Sequence, residues 1–254
     1  MIIFDSIKKQ HKIIILLLSI LNLFMLFYAF YFYLDYSFKL DKTEIEEKRE
    51  NKYSELSIDT SSLALKLEFE ILNGITETFV FHDDERFFGT KLSIKYPKSL
   101  INSPGDKMRT IRKFGNLDED GSEFRCVINF QPINEYKGLA NQKKILLIEE
   151  IVKQQINQLQ SLVNNFETRD IVNGVLVATE PASYIEYYFE NLKTDRNDKI
   201  NSMSRTYFFI YNGGVGSVSF FLDSRKLSKD KVINKFEQYK RVISRMVNSL
   251  DLYF

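Results

Sequence analysis

The sequence is short of the residues that carry most site chemistry. In 254 residues it has one cysteine, two histidines, no tryptophan, ten glycines and four prolines. One cysteine can form neither an internal disulfide nor a cysteine-rich zinc site. So few glycines and prolines exclude a collagen-like or Pro/Gly-rich disordered chain. An excess of one charge is also lacking. The chain has 35 Lys+Arg against 34 Asp+Glu, so it has no broad basic field, which argues against a nucleic-acid partner. Apolar and aromatic residues are plentiful, at 44% and 14%, enough for a substantial core. Nothing in the composition points to a specific reaction.

The strongest pattern lies near the N-terminus. From Ile13 to Leu34 there are 22 residues without a charged side chain, and Ser19 and Asn22 are the polar exceptions. As a helix at about 1.5 Å per residue this run would cross a hydrocarbon core of about 30 Å. Its last third is aromatic, with Phe24, Phe27, Tyr28, Phe30, Tyr31, Phe32 and Tyr33, as in an interfacial belt. A cleaved signal peptide would have a shorter apolar run followed by a small-x-small site, but this stretch offers only Ala29. No cysteine follows at which a lipoprotein could be cleaved. The expected organisation is a tail at 1–12, one uncleaved span at 13–34, a charged stalk at 35–60 and a domain at 61–254. Lys8, Lys9 and Lys12 abut the span, which favours a cytoplasmic N-terminus. The domain would then be periplasmic or extracellular, held by an inner (cytoplasmic) membrane. Beyond Leu34 the chain has 32 basic and 33 acidic residues.

Past the stalk the apolar period becomes two. Leu63, Leu65, Leu67, Phe69 and Ile71 alternate with polar or small residues, which reads as a half-buried strand, though the stretch also admits a helix. Asn73-Gly74 would then be a hairpin turn into a strand at 75–81. Further strands are predicted at 91–96, 108–114 and 123–132. From about Leu139 the period turns helical, with a stripe of Ile145, Ile148, Val152, Ile156, Leu159 and Val163, widened by Leu147, Ile151 and Leu162. Strands follow at 171–178, 182–190, 203–211 and 215–222, the last two joined by Asn212-Gly213-Gly214. A closing helix opens at Ser228 as N-cap and buries Val232, Phe236, Tyr239, Ile243, Met246 and Leu250. Antiparallel hairpins with two long one-sided helices predict an α+β layered domain.

The stretch Leu92-Ser-Ile-Lys-Tyr-Pro-Lys-Ser-Leu100, the middle helix, and the closing hairpin and helix resemble the PsbP-like superfamily. That superfamily includes the extrinsic photosystem II protein P and bacterial DcrB-like proteins. Leu100 stands where a tryptophan often follows the Tyr-Pro pair. The resemblance covers about residues 75–252. It implies a non-enzymatic role in assembly, stability or chaperoning, and some DcrB-like members assist secreted toxins. It carries over no catalytic residues.

Candidate chemistry is sparse. Cys126 alternates with strand residues and reads as a small buried hydrophobe; its only histidine partner beyond the N-terminal flank would be His82. His82-Asp83-Asp84-Glu85 offers metal-ligand types, but neighbouring side chains rarely converge, and a polar loop is the simpler reading. Asn116-Leu-Asp118-Glu-Asp120-Gly121 partly matches a calcium loop. Val127, however, replaces the bidentate glutamate, so a β-turn with Asp120-Gly121 at its tip is expected. Gly213-Gly-Val-Gly216 lies between strand signals rather than before a helix, which suits a hairpin rather than a phosphate cradle. Lys107, Arg109, Arg112 and Lys113 read as a solvated basic strand. Tyr184, Tyr187, Tyr188 and Phe189, with 207–211, put rings on both faces of two strands and offer packing or an apolar patch.

No catalytic, cofactor-binding or metal-ligating residue is assigned, and no cofactor is expected. The sequence is read as a single-pass, membrane-anchored, non-catalytic module of the bacterial envelope. It would bind a protein partner or support assembly of an envelope or secretion complex; the Ile/Lys/Asn-rich usage is the compositional hint for a bacterial source. The alternatives are a membrane-anchored hydrolase or metal-dependent enzyme, and an immunity or chaperone protein for a secreted toxin.

Overall fold

The computed structural model describes residues 62–82, 87–105, 108–192 and 199–253. In chain order the elements are α1 (Leu63–Leu72), β1 (Thr76–His82), β2 (Lys91–Pro97), β3 (Ile101–Pro104), β4 (Thr110–Leu117), β5 (Glu123–Pro132), α2 (Asn141–Leu162), β6 (Val163–Val177), β7 (Glu180–Leu192), β8 (Asn201–Tyr211), β9 (Gly214–Ser224), α3 (Lys229–Asn248) and β10 (Asp251–Tyr253). The fold is α+β and its described sheets are antiparallel, in line with the sequence-based class. The expected tail, span and stalk lie outside the described residues, among which no helix is long and apolar enough to cross a membrane.

A seven-stranded sheet, ordered β3-β4-β5-β9-β8-β7-β6, is the spine. Strict alternation along β5 sends Phe124, Cys126, Ile128 and Phe130 to one face, each at most 1% exposed. On that face lie α3, α1 and a second sheet, ordered β1-β2-β10. The other face, at the β7–β8 end, is covered by α2. Ile148 and Val152 of α2 are buried there against Ile185, Tyr187, Phe208 and Ile210. All of β8 is buried because both its faces are covered. Phe209 faces the α3 side and Phe208 the α2 side.

The stretch 62–72 is a helix, not the strand that its alternation suggested. Leu63, Ala64 and Leu67 are buried inward, while Leu65, Phe69 and Leu72 line the outward side. Leu, Ala, Glu and Lys favour a helix, and its start is fixed from afar: the Leu63 N–H donates to Asp118 Oδ1 at 3.1 Å. Asn73-Gly74 is therefore a helix C-terminus, not a hairpin turn. Gly74 has φ +69°, its N–H donates to the Ile71 carbonyl, and the Ile75 N–H donates to the Glu70 carbonyl, a Schellman motif.

Two short strands, β3 and β10, have no counterpart among the elements expected from the sequence, and the remaining differences are at boundaries. β4 starts at Thr110 rather than Met108, and β6 starts at Val163, directly after α2, rather than at 171. The Asn212-Gly213 turn forms as expected: φ is +45° and +75° and Tyr211 pairs with Gly214, the two-residue geometry that matches strand twist. Ser228 flanks the first turn of α3 as foreseen, although its side chain makes no capping bond.

Candidate functional site

The calcium-like segment closes the β4–β5 hairpin. The Asp118 N–H donates to the Ser122 carbonyl at 2.8 Å, and Gly121 takes φ +80°. Both carboxylates turn toward α3, where Lys235 Nζ lies 2.8 Å from Asp118 Oδ2 and 2.6 Å from Asp120 Oδ2. Tyr239 donates its hydroxyl to Asp118 Oδ2 at 3.1 Å. Burial pushes the Asp120 carboxyl up, but Lys235 and the Ser122 hydroxyl and N–H outweigh it and hold Asp120 down at about 2. Asp118 is lowered in the same balance, with the Leu63 N–H as a further donor. Burial and the Asp118 charge push Tyr239 well above its ordinary range. Here the cation is a lysine, and the cluster ties the β4–β5 turn to α1 and α3.

Cys126 is fully buried, and burial drives its thiol far up. His82 ends β1 as an exposed residue, so the inaccessible thiol and this imidazole make no nucleophile–base pair. Residues 83–85 lie outside the described residues, and no group of three metal-ligating side chains occurs among those described. Gly213-Gly-Val-Gly216 is the β8–β9 turn and the start of β9. Of the basic strand, Lys107 lies outside the described residues, while Arg112 stacks 4.9 Å over the Phe79 ring and donates to Asn102.

Sequence reasoning missed a second charged cluster. Glu186 on β7 is 3% exposed and accepts from Arg205 on β8 at 2.5 and 2.8 Å. Lys240 of α3 stands 3.5 Å away, and the Arg205 guanidinium lies 4.7 Å over the Tyr184 ring. The available signal was a single charge within each of two neighbouring strands, Glu186 between Ile185 and Tyr187, and Arg205 between Ser204 and Thr206 with Met203 and Tyr207 beyond them. Lys229 pairs with Glu167, so three lysines of α3 engage acids of the sheet. These charges are spent on holding α3 in place.

Two further surfaces are not used in this way. On the α2 side, Leu146 is 67% exposed and Leu176 on β6 is 66% exposed; Ile145, Leu162 and Ile171 join them. Lys144 at the start of α2 bridges to Glu180 at 2.6 Å, which fixes the first turn of α2 against the β6–β7 hairpin. On the α3 side, a groove of about 340 Å³ runs between α1 and α3. It is lined by Glu68, Ile71, Leu72, Arg241, Val242 and Arg245, with Arg241 donating to Glu68 at 2.9 Å.

No protein-family model matches the sequence, and no curated protein does. Solved structures similar to this chain include the solution structure of cyanobacterial PsbP from Synechocystis sp. PCC 6803, at 15% identity over 71% of this chain and 95% of that one, with a TM-score of 0.42. LpqN, described as involved in cell envelope biogenesis of Mycobacterium tuberculosis, is similar at 8% identity over 72% of this chain and 95% of its own, also at 0.42. A Pseudomonas aeruginosa protein of unknown function, PA94, is similar at 9% identity, 67% and 96% coverage and 0.34.

Proposed function

We propose that this chain is a membrane-anchored, non-catalytic module of the bacterial envelope that binds a protein partner through the face formed by α2 and β6. The observation that carries the reading is the exposure of Leu146 on α2 and of Leu176 and Ile171 on the neighbouring β6, while the ionisable clusters on the other side are committed to internal ion pairs. Scattered apolar residues are ordinary on a surface; large exposed apolar side chains on a helix and its neighbouring strand are the kind of surface a protein partner covers. The uncharged run at 13–34 supports anchoring, and Lys8, Lys9 and Lys12 before it support a domain outside the cytoplasm. A tether confines the domain near membrane partners and raises its effective concentration there.

The test combines topology with site-specific crosslinking. A reporter fused after Phe254 is expected to be active only outside the cytoplasm. A photocrosslinker at Leu146 or Leu176 is expected to give a discrete adduct in intact cells, one that a crosslinker at Lys231 does not give and that Leu146→Asp with Leu176→Asp abolishes. A cytoplasmic reporter overturns the anchoring, and adducts that are identical at all three positions overturn the binding face.

A further inference from the structure

Helix α1 is apolar on two sides. Its inward side, Leu63, Ala64 and Leu67, belongs to the core. Its outward side carries Leu65 and Leu72 at 43% and 44% exposure, with Phe69 between them, and Ile75 follows at 41% just past the helix end. Positions i, i+4 and i+7 form one stripe, so the outward residues make a second apolar line rather than a scatter.

Exposed basic side chains flank this stripe. Lys66 and Arg245 are exposed, and Lys98 is exposed beside Ile75, donating its backbone N–H to the Ile75 carbonyl at 3.2 Å. The nearby acids are engaged. Glu70 is turned inward at 7% exposure and accepts from the Ser99 N–H and hydroxyl. Exposed Glu77 accepts from the Tyr96 hydroxyl and keeps its charge, and Glu68 pairs with Arg241. An apolar stripe flanked by uncommitted lysine and arginine is the chemistry of an interfacial helix on anionic lipid.

The position of α1 in the chain supplies the second argument. The uncharged run ends at Leu34 and α1 begins at Leu63, so 28 residues separate them. Among the described elements α1 is the first that a chain leaving the membrane meets.

We infer that α1 lies along the lipid surface, with Leu65, Leu72 and Ile75 at the headgroup–acyl boundary and Lys66, Lys98 and Arg245 on anionic headgroups. This inference rests on the proposed anchoring. It leaves the α2–β6 face on the other side of the seven-stranded sheet, open to a protein partner.

The experiment uses the full chain reconstituted in phosphatidylcholine vesicles with or without phosphatidylglycerol. A single cysteine replaces Leu65, Leu72 or, as control, Leu146, and carries an environment-sensitive fluorophore; buried Cys126 stays unlabelled. Nitroxide-bearing lipids are expected to quench the labels at 65 and 72 several-fold more than the label at 146. Omitting phosphatidylglycerol, or introducing Lys66→Glu with Lys98→Glu, is expected to reduce that quenching. Equal quenching at all three sites, in vesicles from which alkaline carbonate does not extract the chain, overturns the lipid contact while leaving the anchor standing. A chain that carbonate extracts overturns the anchor and the inference together. Shielding at 65 and 72 in native membranes but not in vesicles assigns the stripe to a protein and overturns the inference.

Discussion

Lys235 places its ammonium 2.8 Å from Asp118, inside the turn whose sequence partly matches a calcium loop. The aspartate side chain is 3% exposed and the lysine 15%, so each charge depends on the other for what it has lost in hydration. Lys235→Met leaves the carboxylate buried without its cation, and about 3 kcal/mol of stability is expected to be lost, read from urea unfolding. Excess calcium is expected to leave the melting temperature of the parent unchanged, since a ligand bound only by the folded state would raise it.

The same cluster sets an acid limit. Asp118 and Asp120 titrate below the ordinary carboxylate value of 3.8, Asp120 at about 2. A folded value below the unfolded one adds stability that is fully present above about pH 4 and is lost as pH falls through the folded value. The melting temperature is therefore expected to drop between pH 4 and pH 2, with a shallower drop in Lys235→Met. Parallel curves for parent and variant would show that the acid sensitivity arises elsewhere.

How far the fold was legible depended on where each element's determinants lie. The Asn212-Gly213 turn, the alternation of β5 and the apolar stripe of α3 are local, and each could be read from a short window. Helix α1 could not, because Leu63, Leu65, Leu67, Phe69 and Ile71 satisfy a period of two, while the deciding partners, Asp118 and the face of α3, are distant in sequence. The strands β3 and β10 have four and three residues, too few to display a period. The pairing of Glu186 with Arg205 needed the β7–β8 register, which no single strand reveals. The apolar residues of α2 were visible, but which of them stay exposed depends on how far the sheet extends beneath the helix.

In the Glu186 cluster the two cations are unequal. Arg205 makes both short contacts, and its side chain is 11% exposed, whereas Lys240 sits at 3.5 Å and is 34% exposed. Arg205→Met is expected to cost about 3 kcal/mol and Lys240→Ala less than about 1 kcal/mol. Replacing both members, Glu186→Leu with Arg205→Met, is expected to recover most of the loss, because no unpaired charge then remains buried. Equal costs for Arg205→Met and Lys240→Ala in chemical denaturation would contradict this ranking.

Gly216 pairs across the ladder with Phe209, and a Cβ at this glycine would run into the Phe209 ring. The backbone there is not left-handed, so the need for glycine is one of space. Gly216→Ala is expected to destabilise by about 2 kcal/mol through overpacking. In a Phe209→Leu background the same change is expected to cost clearly less, a coupling that a double-mutant cycle measures. Additive costs would place the strain in the backbone instead.

Cys126 offers a probe of opening that needs no engineering. It lies in β5 between β4 and β9, opposite Phe114 and Phe220, and is fully buried. Reaction with a thiol reagent requires a thiolate in contact with solvent, and burial both raises the thiol's pKa and blocks access. Modification in the native state must therefore pass through an opening of the central sheet, whose free energy approaches that of global unfolding. The rate is expected to be negligible without denaturant, to rise along the urea unfolding curve, and to increase in Lys235→Met and Arg205→Met in proportion to their lost stability. Fast labelling of the folded parent, measured by intact mass, would mean that β5 is reached by a local motion and that the sheet does not open as one unit.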